Sequence, residues 1–188
     1  MNAQPQRPHE YFIDRLLKLK KDDNRAALAI LRRGLVDFGS DFSIYSVVGN
    51  ALPKEASQFD IDKYLLTACL FASPPSDTEG DASVGTAARN LRAKLSVGQE
   101  SLDKRFSALL NSEDEDLPTR LRQMISLFKS KEVPLNYATL LSDLLKWRTD
   151  SRYVQKRWAK DYWVGKEEVN PKGSAQENEL TSDEAIAN

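Results

Sequence analysis

The stretch IDKYLLTACLFA at residues 61–72 decides the fold. Apolar residues fill nearly every position, so a helix here shows hydrophobic surface on almost all sides. Such a helix belongs at the centre of a core, with other helices around it. Pro74-Pro75 stops it, and SDTEGDAS at 76–83 reads as a solvated loop.

On the N-terminal side, Phe12, Leu16 and Leu19 recur at helical spacing between Pro8 and Asp22, with Ile13 and Leu17 widening the stripe. Asp23 and Asn24 are candidate caps for a second helix over Arg25–Arg33, which Gly34 ends. Its inner face is Ala27, Leu28, Leu31 and then Leu35. A short third helix fits between Asp41 and Asn50. The SIYSVV run there could pass for a strand, but no partner strand lies nearby.

On the C-terminal side, Ser83 caps a helix containing Ala88, Leu91 and Leu95. Another runs from about Glu100 to Leu110, with Leu102, Phe106 and either Leu109 or Leu110 inward. Acidic residues 113–116 precede Pro118 and a helix carrying Leu121, Met124, Ile125 and Phe128, a normal start signal. Pro134 and Asn136 open the next, through Leu140, Leu141, Leu144 and Trp147. Asp150-Ser151 is a candidate break before a final helix ending near Trp163. The expected fold is therefore all-α, a helical bundle of eight or nine helices. A composition shift at Ser96-Val97-Gly98 suggests two small lobes, 9–95 and 96–166, followed by an acidic disordered tail over 167–188.

Composition narrows the function. The 188 residues are 40% hydrophobic and 29% charged, which is globular. No apolar run is long enough for a bilayer, and the N-terminus lacks the apolar segment of a signal peptide. One cysteine excludes a disulfide framework, and one histidine excludes the common zinc sites and weakens Ser-His or Cys-His chemistry. A cytoplasmic protein without cofactor or membrane contact is expected. Cys69, inside YLLTACLFA with no basic neighbour, reads as core filling, and His9 as a surface residue. The carboxylates at 113–116 could hold a divalent cation, but a helix N-terminus explains them more simply. No catalytic and no metal-ligating set is assigned.

Charge is the informative feature. The net charge of -1 averages a tail carrying -5 over 167–188 with a body carrying +4. Within 144–166 the balance reaches +5. Arg152, Lys156 and Lys160 are four apart and stack on one face of a helix, and Arg148 joins the row if the helix continues past Asp150. That would form a cationic ridge of about 18 Å over 148–160. Val154, Trp158 and Tyr162 form the opposing stripe, and register places Trp147, Trp158 and Trp163 in the core. Such a ridge suits a polyanion such as a nucleic-acid backbone, although a solvated amphipathic helix looks similar.

Three segments carry a resemblance. AILRRGL at 29–35 is followed by YSVVGNALP at 45–53 and YLLTACLFA at 64–72. The second segment is SLDKRFSALLNSEDEDLPTRLRQMISLFKSKEVPLNYATLLSDL at 101–144, and the third is KWRTDSRYVQKRWAKDYW at 146–163. In order and spacing they resemble the CasB family, the small subunit of the bacterial type I-E CRISPR Cascade complex. The resemblance spans roughly residues 10–164. It implies a non-catalytic, two-lobed helical subunit that sits in two head-to-tail copies beside the backbone subunits carrying the guide RNA. It also implies help in holding the RNA–DNA hybrid and the displaced DNA strand, with cleavage left to a separate nuclease-helicase. Carried over by motif, Arg32 and Arg33, Arg105, Arg120 and Arg122, and Arg148, Arg152 and Lys156 become nucleic-acid contacts, with Lys160 added by the ridge. Some of them could instead pair with acidic residues of neighbouring subunits. The acidic tail has no counterpart in the resemblance. Two other readings stay open: a helical adaptor that binds only protein, and a hydrolase built on the 113–116 carboxylates.

Overall fold

The computed structural model describes residues 7–36, 38–73 and 79–164. The expected tail over 167–188 lies outside them. Among the described residues there are nine α-helices: α1 Pro8–Lys21, α2 Arg25–Gly34, α3 Ile44–Val48, α4 Gln58–Ala72, α5 Val84–Lys94, α6 Gln99–Leu110, α7 Leu117–Ser130, α8 Tyr137–Leu144 and α9 Tyr153–Trp163. A 3-10 turn, Gly49–Ala51, extends α3, and the only extended pairing among the described residues is the single bridge between Glu79 and Leu135. The all-α expectation holds.

Local signals place the helix starts. Asn24, Ser57, Ser83 and Asn136 each accept a hydrogen bond from the backbone N–H three residues on, which caps α2, α4, α5 and α8. Pro8 and Pro118 sit in the first turns of α1 and α7, where a missing N–H costs nothing.

α4 is the central helix. Every residue from Lys63 to Ala72 is buried, as the uninterrupted apolar run predicts. Around it stand α1, α2, α3, α7 and α8. Gly34 lets α2 come close: a Cβ there would lie 2.3 Å from Ile44 Cδ1 and 3.3 Å from Cys69 Sγ. Cys69 is wholly buried, and burial pushes its thiol up to about 12, so it packs rather than reacts.

α5 lies along α9, and α6 touches α5, α7 and α9. Gly85 makes the α5–α9 contact possible, because a Cβ there would meet the Trp158 carbonyl oxygen at 2.5 Å. Ser83 adds a hydrogen bond to Asp161 at 2.9 Å. One continuous apolar cluster runs from Phe12 on α1 to Tyr162 on α9.

Two expectations need correction. Leu17 is on the exposed side of α1, while Phe12, Ile13 and Leu16 are buried. Trp163, placed in the core by register, is 51% exposed; Trp147 and Trp158 are buried as expected.

Candidate nucleic-acid interface

Helical spacing stacks Arg152, Lys156 and Lys160 on one face, with Arg148 joining only if the helix continues past Asp150. The structure has the break expected at Asp150-Ser151 and leaves Arg148 out of the helix. α8 ends at Leu144, a series of turns follows, and α9 begins only at Tyr153. Arg152 is the residue before α9, with φ +49, in the left-handed region. Of the row, only Lys156 and Lys160 stand on a regular helix, both exposed on successive turns. Val154, Trp158 and Tyr162 bury the opposite face as predicted.

Most of the candidate arginines have partners inside the chain. Arg32 donates from Nε to the Ala72 carbonyl at 2.7 Å, covering the C-terminus of α4. Arg120 reaches Asp116 one turn earlier at 3.3 Å, and its buried Nε has no hydrogen-bond partner. Arg122 donates to the Leu35 carbonyl at 3.4 Å. Arg148 pairs with Asp114 and lies over the Phe59 ring, 4.5 Å from its centroid. Arg152 donates to the Leu110 carbonyl at 2.6 Å, tying the start of α9 to the end of α6. Arg33, Arg105, Lys156 and Lys160 are exposed and have no ion-pair partner among the described residues.

Two concavities hold four of these groups, and Arg148 and Arg152 also line a third of about 250 Å³. Arg122 and Arg148 line a cleft of about 550 Å³ together with Lys63, Asp114 and Phe59. Arg152 and Lys156 line a groove of about 340 Å³ between α6 and α9, with Leu110, Ala159 and Trp163. Arg32, Arg33, Arg105, Arg120 and Lys160 line none of the three.

Sequence reading missed three carboxylates that organise this surface. Asp114 holds Lys63 at 2.8 Å and also Arg148. Asp143, buried on α8, accepts from Arg157 and from the Trp158 indole N–H at 2.7 Å. The hydrogen bond to Asp143 is the chief cause of a further upward shift in the pKa of the Arg157 guanidinium. Asp103 on α6 accepts from Arg92 on α5 at 3.0 Å and from the Tyr162 hydroxyl on α9. These hydrogen bonds, Arg92 first, hold its carboxyl below the usual range. One signal was available: Lys63 is a lone cation in an apolar helix, and a buried charge needs a partner. Among the described residues, no group of His, Cys, Asp and Glu could hold a metal ion, and Asp114 and Asp116 in the acidic run serve as ion-pair partners.

Comparison with known proteins adds a second line. Residues 27–163 match the family described as CRISPR-associated protein Cse2. A protein of that name from Thermus thermophilus is 36% identical over 160 residues, covering 83% of this chain and 90% of that protein. The crystal structure of CasB from Thermus thermophilus matches with a TM-score of 0.73 at 33% identity, over 85% of this chain and 99% of that one. That of M. ruber CasB matches with a TM-score of 0.66 at 26% identity, over 85% and 94%. A chain of a CRISPR RNA-guided surveillance complex has the same fold, with a TM-score of 0.73 at 17% identity over 85% and 95%.

Proposed function

This chain belongs to the CRISPR-associated Cse2, or CasB, family, and from that premise we propose that it is the non-catalytic small subunit of a type I-E RNA-guided surveillance complex, Cascade. In this reading it stabilises the R-loop by gripping nucleic-acid backbone through basic helix faces. Its partners are the backbone and large subunits, a second copy of itself, the guide RNA, and target DNA including the displaced strand. It works in the cytoplasm and takes no cofactor.

The observation that carries the proposal is α9. Its apolar face is spent on the core, and Lys156 and Lys160 project from the other side without ion-pair partners among the described residues. Pairing with the guide reads the target sequence, so this subunit needs no code for base edges; the same logic applies to other RNA-guided effectors. It must supply positive potential along a strand whose sequence changes with every target. Lys and Arg contacts to phosphate do that, and they weaken steeply with salt. Strand exchange is nearly balanced, so a few such contacts can decide whether the open state persists.

The test is R-loop lifetime on a matched target at fixed salt, with complex assembled with and without this chain. A much shorter lifetime without it, with the other subunits still assembled, supports the reading; equal lifetimes refute it. The division into lobes at 9–95 and 96–166 belongs to the same proposal. Limited proteolysis at the connection holding exposed Val97 tests it.

A second reading, an adaptor that binds only protein, draws on Val36 and Phe42, large apolar side chains exposed on the segment after α2. It predicts no salt-dependent binding of random single-stranded DNA.

A further inference from the structure

Trp163 ends α9 half exposed, with its indole held by two rings. Phe106 lies 5.6 Å away between centroids, and Tyr162 stands nearly perpendicular at 4.8 Å. The same indole lines the α6–α9 groove beside Leu110 and Ala159, and Arg152 and Lys156 line it too. Lys160 follows Lys156 one helical turn on. A large aromatic surface is thus left in water, fixed in place, next to positive charge that no carboxylate of the described residues neutralises.

We propose that this groove seats one unpaired base of a single-stranded nucleic acid, stacked on Trp163, with the flanking phosphates against Lys156 and Lys160. The inference rests on the nucleic-acid reading above and adds a base contact to what was a backbone contact alone. Size agrees, since about 340 Å³ holds a nucleobase with its sugar. So does chemistry: Leu110, Ala159 and Trp163 offer an apolar wall to the face of a heterocycle, and Arg152 and Lys156 in the same groove select a polyanionic ligand over an apolar peptide. Side chains one turn apart on a helix are about 5–6 Å apart at Cβ, close to the spacing of neighbouring phosphates. Stacking tolerates any sequence, because every base has a π-face.

The test compares two oligonucleotides of equal length and charge at low salt with the full-length chain: oligo-dT, and the same backbone with every base removed. The abasic strand is expected to bind between about fivefold and about 150-fold more weakly, the range for one base–aromatic stack. Trp163→Ala should close that gap, and Trp163→Phe should keep most of it. The oligonucleotide arm needs no substitution, so its result does not depend on how a variant folds. Equal affinity of the unaltered chain for both strands overturns the base seat and leaves backbone binding intact. A gap that persists in Trp163→Ala removes Trp163 as the platform. Failure to bind either strand overturns the nucleic-acid reading, and the base seat with it.

Discussion

Lys63 and Asp114 stand 2.8 Å apart between the buried face of α4 and the segment that enters α7, and Arg148 takes the other oxygen of the same carboxylate. The Lys63 side chain is only 5% exposed. A charge so placed is tolerable only while it is paired. Asp114 thereby joins the central helix to the start of α7 and to the turns before α9.

We predict that Asp114→Ala destabilises the fold by about 2–4 kcal/mol, because it leaves the buried Lys63 ammonium without a counter-ion, with the Phe59 ring beside it. Urea unfolding measures it. Lys63→Met in the same background should recover part of the loss, since the unpaired charge is then gone.

The same carboxylate predicts an acid dependence. Burial pushes its pKa up, but hydrogen bonds from Lys63 and Arg148, and then their charges, leave it below the usual value. With the folded pKa depressed, the stability it confers is complete above the unfolded carboxylate value and is lost as pH falls through the folded one. Melting temperature followed from about pH 6 to about pH 3 should fall more steeply in the unaltered chain than in Asp114→Asn. Parallel curves would mean that the pair is not formed.

Lys129 makes a second pH prediction, of the same sign, at alkaline pH. It is buried on α7 and donates from Nζ to the carbonyls of Leu70 and Phe71 at 3.1 and 3.0 Å, and to that of Ser73, which covers the C-terminus of α4. Burial pulls its pKa from 10.5 down to about 8. Between those values the unfolded chain holds a proton that the native state has released, so stability from this group rises with pH across the window. Lys129→Met should cost about 1–3 kcal/mol near neutrality, from carbonyls left without a donor. Its deficit should then widen between about pH 8 and about pH 10. Urea unfolding at both values measures it, and a constant deficit would place the amine in water.

Local punctuation made most of the helical frame legible. Asn24, Ser83 and Asn136 cap where spacing and residue type predict, and the apolar run at 61–72 becomes the central helix. The candidate site was less legible for a physical reason. Asp150-Ser151 marks the break, but a four-residue spacing runs on across it, so spacing alone puts Arg152 on the helix with Lys156 although it sits at φ +49 ahead of α9. That conformation is rare for a residue with a Cβ and is imposed by the surroundings, including the bond from Arg152 to the Leu110 carbonyl. The pair Lys63–Asp114 spans 51 positions, and no periodicity carries such a partnership.

Gly85 gives a prediction on packing alone. Propensity would favour alanine inside α5 by about 1 kcal/mol. Its Cβ, however, would meet the Trp158 carbonyl oxygen at 2.5 Å and both Trp158 Cα and Asp161 Cβ at 2.8 Å. Two of these are backbone atoms of α9, so α5 and α9 would have to separate. Gly85→Ala should therefore lower stability by a net of about 1–2 kcal/mol, seen as a reduced Tm. A variant more stable than the parent would show that the two helices lie further apart.

Intramolecular pairing also dictates which cations can test the nucleic-acid reading cleanly. Arg148→Ala and Arg152→Ala each break a bond within the fold, to Asp114 and to the Leu110 carbonyl, so weaker binding by either would mix a stability effect with a binding effect. Lys156 and Lys160 have no ion-pair partner among the described residues. We predict that changing both to alanine leaves Tm within a degree or two, since exposed substitutions cost at most about 0.5 kcal/mol. The same double variant should weaken binding of random single-stranded DNA and flatten the slope of log K against log salt by about 1.4, or about 0.7 for each phosphate no longer neutralised. An unchanged slope would mean that these lysines face solvent in the bound state, and the proposal would have to rest on Arg33 and Arg105 instead.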